Sequence, residues 1–442
     1  MTTKDSAKDE EIEVAITPPD EPPAEQEPED IAAPGSTASL LRVFRHRNYR
    51  LFFTGQLISL MGTWMQNLAQ GWLVYSLTHS PFLLGVTSFS STVTVFFVTP
   101  FGGMVADRVD RRKMLLFTQS AAMLQAAILA VLTLTHVVQV WHIISLAFCL
   151  GLINSFDVPS RQSMTLDMVT KEDLRHAISL NSMMFNMARV VGPSVGGILV
   201  AALGEGVCFA LNSASFAAVL TSLFLMRLPQ RAPRVHEHPL EEIKAGYRYS
   251  FSTPQLRISL MLVAVSSMFG AAYLTLMPAF ARDILHGQSA SYGLLMTSVG
   301  AGALVGAYSL SRIHERYLAF APVFAGVSFG IGLILFAHSH VFWLSVLLLL
   351  PTAASLMLLG GTTNTIIQLV AAEQYRGRVI SHYTQCFMGM MPWGGLLLGS
   401  LASRFGVSTA VTIGGSVVIA SALVAYFNRR GSEWTMDQVP AE

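Results

Sequence analysis

One short stretch of this chain gathers opposite charges closely enough to do electrostatic work: Asp107 and Arg108, then Asp110, Arg111, Arg112 and Lys113, with Gly103 four residues before Asp107. An aspartate beside a basic cluster at a helix end can form a charge network between neighbouring helices. Such a network can hold one face of a two-state protein closed and be remade as the protein moves. Anchoring to anionic lipid is the simpler reading of Arg111, Arg112 and Lys113, but it leaves Gly103 and Asp107 unexplained.

A second chemical feature is Arg189, a cation inside an otherwise uncharged stretch and fourteen residues beyond Arg175. At 1.5 Å per residue that is roughly 21 Å along a helix. Either it receives an anionic group of a bound molecule or it is tied to Asp157. Gln66, Asn67 and Gln70, flanked by Trp64 and Trp72, place amides and aromatic rings in the middle of another apolar stretch. Asn154, Asn181, Asn186, Asn364, Gln368, Gln385 and Trp393 are further candidates for a shared cavity. Apolar walls with a few polar groups suit an amphipathic small molecule. Taken singly, each amide reads as readily as an interhelical hydrogen bond worth about 0.6 kcal/mol.

Other chemistries find little support. Cys149, Cys208 and Cys386 lie in apolar stretches with no CxxC or Cys/His spacing, so neither a disulfide framework nor a metal site is expected. Gly326-Val-Ser328-Phe-Gly330 matches a hydrolase pattern, but it falls inside an apolar helical stretch where a strand-turn-helix would be needed. No phosphate-binding G-x-x-x-x-G-K-[ST] loop occurs. The expectation is a non-enzyme without cofactor, with no nucleic acid as partner.

The elements that must position these residues are apolar helices. The chain is 52% hydrophobic and 12% charged, about half the charge of an ordinary soluble domain, so a water-soluble fold could not cover itself. A helix crosses the hydrocarbon core with about twenty apolar residues, and a charge near its centre is costly. Gaps in the charge record therefore locate spans. Charge-poor hairpins run over 51–106, 114–156 and 177–226, turning at His79-Ser80-Pro81, near His136 and near Gly204. Three more run over 258–311, 317–372 and 379–428, turning at Arg282-Asp283, at His338-Ser339-His340 and near Arg404. The later three start 207, 203 and 202 residues after the earlier three (258−51, 317−114, 379−177). A near-constant offset predicts an internal duplication of six helices.

The expected organisation is an acidic disordered tail over 1–40, a six-helix bundle over 41–226, a central loop over 227–257, a second bundle over 258–428 and a short tail over 429–442. The first tail holds eleven acidic residues and two lysines, too little apolar surface to offset its ordering entropy. Within the central loop, residues 239–249 read as an amphipathic surface helix. No basic segment followed by an apolar run opens the chain, so a cleaved signal peptide is not expected. One set of connections carries twenty-three basic residues and the opposite set carries two, Arg282 and Arg404. That bias predicts both termini and the central loop on the cytoplasmic side.

Gly103-Met-Val-Ala-Asp107-Arg108-Val-Asp110-Arg111-Arg112-Lys113 resembles the G-x-x-x-D-R-x-x-R-R-K signature of the major facilitator superfamily, between helices 2 and 3. The matching position in the second half, Gly306 to Arg312, lacks the aspartate. Gly192-Pro193-Ser-Val-Gly196-Gly197 resembles the G-P-x-x-G-G element of facilitator exporters, although close packing alone would also explain it. The segments from Asp157 to Gln162 and from Gln368 to Ser381 are similar to the branch that includes the enterobactin exporter and macrolide efflux pumps. The resemblance covers 41–428 and implies an all-α membrane protein of about twelve transmembrane helices in two six-helix bundles. It further implies a proton-coupled secondary exporter of a small amphipathic or anionic compound, siderophore- or drug-like, acting as a monomer in a bacterial inner membrane. Asp107 and Asp157 are the candidate proton carriers. An importer of the same fold, or a receptor or scaffold that transports nothing, are the competing expectations.

Overall fold

The computed structural model describes residues 42–165, 167–170, 172–226 and 247–430. The acidic tail, most of the amphipathic segment (only 247–249 of it are described) and residues 431–442 lie outside them. Of Gly103, Asp107 and Arg108 only the helical backbone is described.

The described chain is helical throughout. We number the long helices α1 (Arg47–Thr78), α2 (Pro81–Arg108), α3 (Arg111–Leu134), α4 (Val140–Thr165), α5 (Leu174–Leu203) and α6 (Glu205–Leu225). After the central segment come α7 (Pro254–Ile284), α8 (Ser289–Leu310), α9 (Ala321–Ala337), α10 (Phe342–Val370), α11 (Glu373–Phe405) and α12 (Val407–Arg430). Ten are long and apolar enough to cross a membrane; α9 is apolar but 17 residues long, and α1 spans 32 residues interrupted by amides. The outer helices turn large apolar side chains outward: Phe117 of α3 is 72% exposed and Phe324 of α9 is 77% exposed. Large apolar side chains exposed in this way suit hydrocarbon and not water.

Local chemistry explains the tight reversals. His79 adopts a left-handed conformation (φ 49°), and Ser80 then caps α2, its hydroxyl accepting from Leu83 N at 3.4 Å, with Pro81 in the first turn. Gly204 (φ 82°) and Gly406 (φ 87°) form the corners before α6 and α12, where a side chain would be strained. The fourth reversal differs from expectation. Arg282 and Asp283 belong to the last turn of α7, and the chain turns only afterwards, with His286 at φ 50°.

Packing repeats with a period of six helices. In the first half α2 lies on α4 and α3 on both α4 and α6; in the second half α8 lies on α10 and α9 on both α10 and α12. The two halves meet through α5 against α8 and α2 against α11, which are themselves related by the same shift. Two helices lose regularity. Helix α7 passes through a π-helical turn (Ser266–Gly270) and a 3-10 stretch (Ala271–Leu276), and α11 is broken at Met390, ahead of Pro392.

Candidate functional site between the two halves

Glycines set how closely the halves approach. A Cβ at Gly197 of α5 would stand 2.8 Å from Gly293 Cα of α8, and one at Gly293 would stand 2.7 Å from Pro193 O. On the symmetric side, a Cβ at Gly85 would stand 2.5 Å from Gly395 O. Gly192 and Gly196 face inward to α1, where a Cβ would meet Trp64 at 2.6 Å and Met65 at 3.0 Å respectively. The element Gly192, Pro193, Gly196, Gly197 therefore joins α5 to its own half and to the other half at once.

Polar contacts between the halves cluster at one end. The Tyr75 hydroxyl donates to the Asp283 carboxylate, Arg282 Nη1 donates to Ser76 Oγ at 3.2 Å, and the Arg282 guanidinium lies 6.0 Å from the Trp72 ring. Trp72 stacks on Tyr292 at 6.2 Å, Ser289 Oγ donates to Gly197 O at 3.3 Å, and Phe82 N donates to Ser403 Oγ at 3.1 Å. Nearer mid-helix, Phe89 meets Trp393 edge-on at 4.9 Å and Ser194 bonds Thr297. Each of these links between the halves lies at this end or near mid-helix. Sequence reasoning missed this closure because Arg282 and Asp283 looked like a loop, and their partners stand about two hundred positions away.

At the other end, the basic motif works within its own half. Asp110 caps α3, accepting from Arg112 N at 2.8 Å and Lys113 N at 3.2 Å. Arg111 pairs with Asp167 at 2.7 Å, just beyond α4, and Arg112 donates to Leu223 O at 2.8 Å and Phe224 O at 2.9 Å, carbonyls at the end of α6. Carbonyls in the last turn of a helix lack donors within it, so the guanidinium caps α6. Arg111 and Arg112 thus tie α3 to α4 and α6, linking neighbouring helices of one half. Asp173, ahead of α5, accepts from Arg42 at 2.8 Å and bonds His46 at 2.8 Å. Burial alone would raise its pKa, but the hydrogen bonds from His46 and Arg42 outweigh burial and hold the carboxyl below its ordinary value.

The candidate cavity residues divide. Gln66 is buried, donating to Gln125 Oε1 at 3.2 Å and accepting from Asn212 Nδ2 at 2.7 Å, so it ties α1 to α3 and α6 and does not face open space. Asn181 likewise accepts from the Tyr49 hydroxyl at 3.1 Å and donates to Thr165 at 3.4 Å inside the first half. Gln385 bonds Tyr247, and Gln368 bonds Asn364 along α10. Trp72 and Trp393 are interface residues, packed across the halves. Asn67 and Gln368 are exposed, while Gln70, Asn154 and Asn364 are partly exposed. Trp64, Asn67, Gly71 and Tyr75 recur every three or four residues, so they share a face of α1. Because Gly71 meets Pro278 and Tyr75 meets Asp283, that face is turned to the second half.

Arg189 lies midway along α5, deep in the fold and yet partly exposed. Its guanidinium is 6.0 Å from the Trp64 ring, which in turn meets Phe185 edge-on at 5.6 Å. The alternative tie to Asp157 does not form. Asp157 accepts from Thr118 at 2.8 Å and Gln119 at 2.7 Å and stands 3.6 Å from Arg161, four residues along its own helix.

An all-helical architecture with ten apolar candidate spans, packed through α2/α11 and α5/α8, fits a major-facilitator transporter. The transmembrane secretion effector family matches residues 38–442, and this chain belongs to it. It is 26% identical over 397 residues to the staphyloferrin A transporter of Staphylococcus aureus, covering 86% of this chain and 96% of that one. It is 26% identical over 394 residues to the enterobactin exporter EntS of Citrobacter koseri, covering 87% and 92%. Among solved structures it is similar to a bacterial homologue of the lysosomal transporter Spinster, inward-facing and unoccupied (TM-score 0.66, 14% identity, 89% of this chain and 96% of that one). It is also similar to the nucleoside transporter NupG (TM-score 0.63, 14% identity, 87% and 98%). The chain is a multi-pass membrane protein and a secondary transporter.

Proposed function

We propose that this transporter exports a small siderophore-like compound, amphipathic or anionic, from a bacterial cytoplasm across the inner membrane by alternating access. The observation that carries the mechanism is the clustering of bonds between the halves at one end, through Tyr75, Asp283, Arg282 and Ser289. With twelve spans and the basic connections in the cytoplasm, this is an inward-facing state that receives cargo from inside. The glycine contacts between α5 and α8 and between α2 and α11 are the pivots about which the halves rock. The names of the two relatives, one a staphyloferrin A transporter and one an enterobactin exporter, support the cargo class, and the second supports the direction.

The cargo meets Asn67, Gln70, Asn154, Arg189, Asn364 and Gln368, which stay at least partly exposed. The protein acts as a monomer, and the cycle is driven by protons. Asp107 and Asp157 are the carboxylates on α2 and α4 available for that coupling. Gly103, Asp107 and Arg108 contribute to a cytoplasmic gate that forms when the open end closes.

Inverted membrane vesicles test the reading. Export predicts accumulation of a labelled carboxylate-bearing siderophore inside them, abolished when the proton gradient is collapsed. Accumulation only in right-side-out vesicles would make the protein an importer, and accumulation indifferent to the gradient would remove proton coupling.

A further inference from the structure

Arg189 presents an unusual balance of charge. Among the described residues it makes no ion pair and no hydrogen bond, and its guanidinium lies 6.0 Å from the Trp64 ring. The four ion pairs found involve Arg42, His46, Arg111 and Arg161, all near the arginine-rich ends. An intramembrane cation is costly and is ordinarily paired with another group or set facing a water-filled space. Arg189 is partly exposed, so the missing counter-charge has a route in.

A second observation points to the same place from the other half. Tyr273 of α7 is 1% exposed, lies within electrostatic range of Arg189, and its hydroxyl has no hydrogen-bond partner. A buried hydroxyl left unpaired costs about 1–3 kcal/mol. Its helix is a 3-10 stretch at that point, flanked by a π-helical turn, the kind of local irregularity found at functional positions.

We propose that Arg189 is the anion-recognition point of the cargo, that it takes a single carboxylate carried on an apolar or aromatic body, and that the Tyr273 hydroxyl turns to that carboxylate when it binds. The proposal rests on the transporter reading. One guanidinium offers a planar fork that matches a carboxylate with two parallel N–H bonds. A dianionic phosphate would bring one negative charge more than Arg189 can neutralise. Trp64 and Phe185 form an aromatic wall beside the fork, which suits an apolar body. Because Arg189 stands on α5 and Tyr273 on α7, a carboxylate held by both bridges the two halves. Cargo binding would therefore bias the rocking equilibrium.

The test uses the full-length protein in lipid nanodiscs, with 1-naphthoate and its uncharged analogue 1-naphthamide as probes, binding being read by tryptophan fluorescence. The expected result is saturable binding of the acid, with the amide at least tenfold weaker. Arg189→Gln should weaken the acid at least tenfold and leave the amide unchanged, and Arg189→Lys should fall between because it lacks the fork. Tyr273→Phe should weaken the acid a few-fold. Equal binding of acid and amide by the unaltered protein, or no binding of the acid at millimolar concentration, overturns the proposal without any variant. Acid binding unchanged in Arg189→Lys and in a folded Arg189→Gln also overturns it. Failure of the transporter reading looks different: the protein would bind the acid through Arg189 and move no solute in inverted vesicles.

Discussion

The hydroxyl of Tyr75 donates to the carboxylate of Asp283, joining α1 of the first half to the last turn of α7 in the second. With Tyr75 buried and Asp283 exposed, this bond is a clasp at the rim of the closed end. Beside it, Arg282 bonds Ser76 and lies over Trp72.

Breaking that clasp should move the conformational equilibrium. A hydrogen bond of this kind contributes about 1 kcal/mol net, roughly a fivefold shift in the ratio of the two states. Tyr75→Phe and Asp283→Ala should each lengthen the distance between spin labels at Leu77 and Gln288 in a larger fraction of molecules. Distance distributions identical to those of the parent protein would show that the clasp is incidental.

Gly197 and Gly204 should respond differently to alanine. At Gly197 the added methyl would lie 2.8 Å from Gly293 Cα and from Ser289 O, both backbone atoms that cannot step aside. The cost is about 1–3 kcal/mol of overpacking, and it falls on the pivot between the halves. At Gly204 a methyl meets nothing within 4 Å, and the penalty is the local strain of φ 82°. Both variants should melt lower than the parent, and only Gly197→Ala should slow transport.

The amide ladder of Gln66, Gln125 and Asn212 predicts a stability effect without a substrate effect. Gln66→Ala leaves the Asn212 amide and the Gln125 carbonyl unpaired in a buried site, at about 1–3 kcal/mol each. The melting temperature should fall by several degrees while KM for the cargo stays near that of the parent. Asn67→Ala, one residue along and exposed, should do the reverse. A large rise in KM for Gln66→Ala would return that residue to the binding site.

The Arg42–Asp173 and His46–Asp173 bonds carry a pH signature. Because the folded carboxyl titrates below its ordinary value, the clasp contributes stability above the ordinary aspartate pKa of about 3.9 and loses it as pH falls through the lowered value. Arg42 is about half exposed, so the contribution is under about 1 kcal/mol. The melting difference between the parent and Asp173→Asn should hold steady from neutral pH down to the ordinary carboxylate range and close below it. A difference that closes near pH 6 would assign the effect to another group.

The candidate site was only partly legible in the residues. Arg189 stood out because a charge inside an apolar stretch is conspicuous in one dimension, and Gly192 to Gly197 stood out by spacing. Gln66 and Asn67 looked equivalent, yet one is buried in an amide ladder and the other is exposed. A rotation of about 100° per residue separates them, and which face turns inward depends on helices α3 and α6. Asp283 was overlooked for the same reason, since its partner Tyr75 lies 208 positions earlier.

By itself the amino-acid order determined that this is a membrane protein of repeated apolar helices, and where most of its turns fall. Excluding charge from hydrocarbon and tolerating a positive φ at His79 or Gly204 are properties of short stretches of chain. Only the tertiary structure decided that Arg111 and Arg112 brace one half, that Tyr75 and Asp283 close one end, and that Arg189 has no ion-pair partner among the described residues. Those outcomes depend on how helices distant in the chain rotate and pack against one another, and no local pattern encodes that.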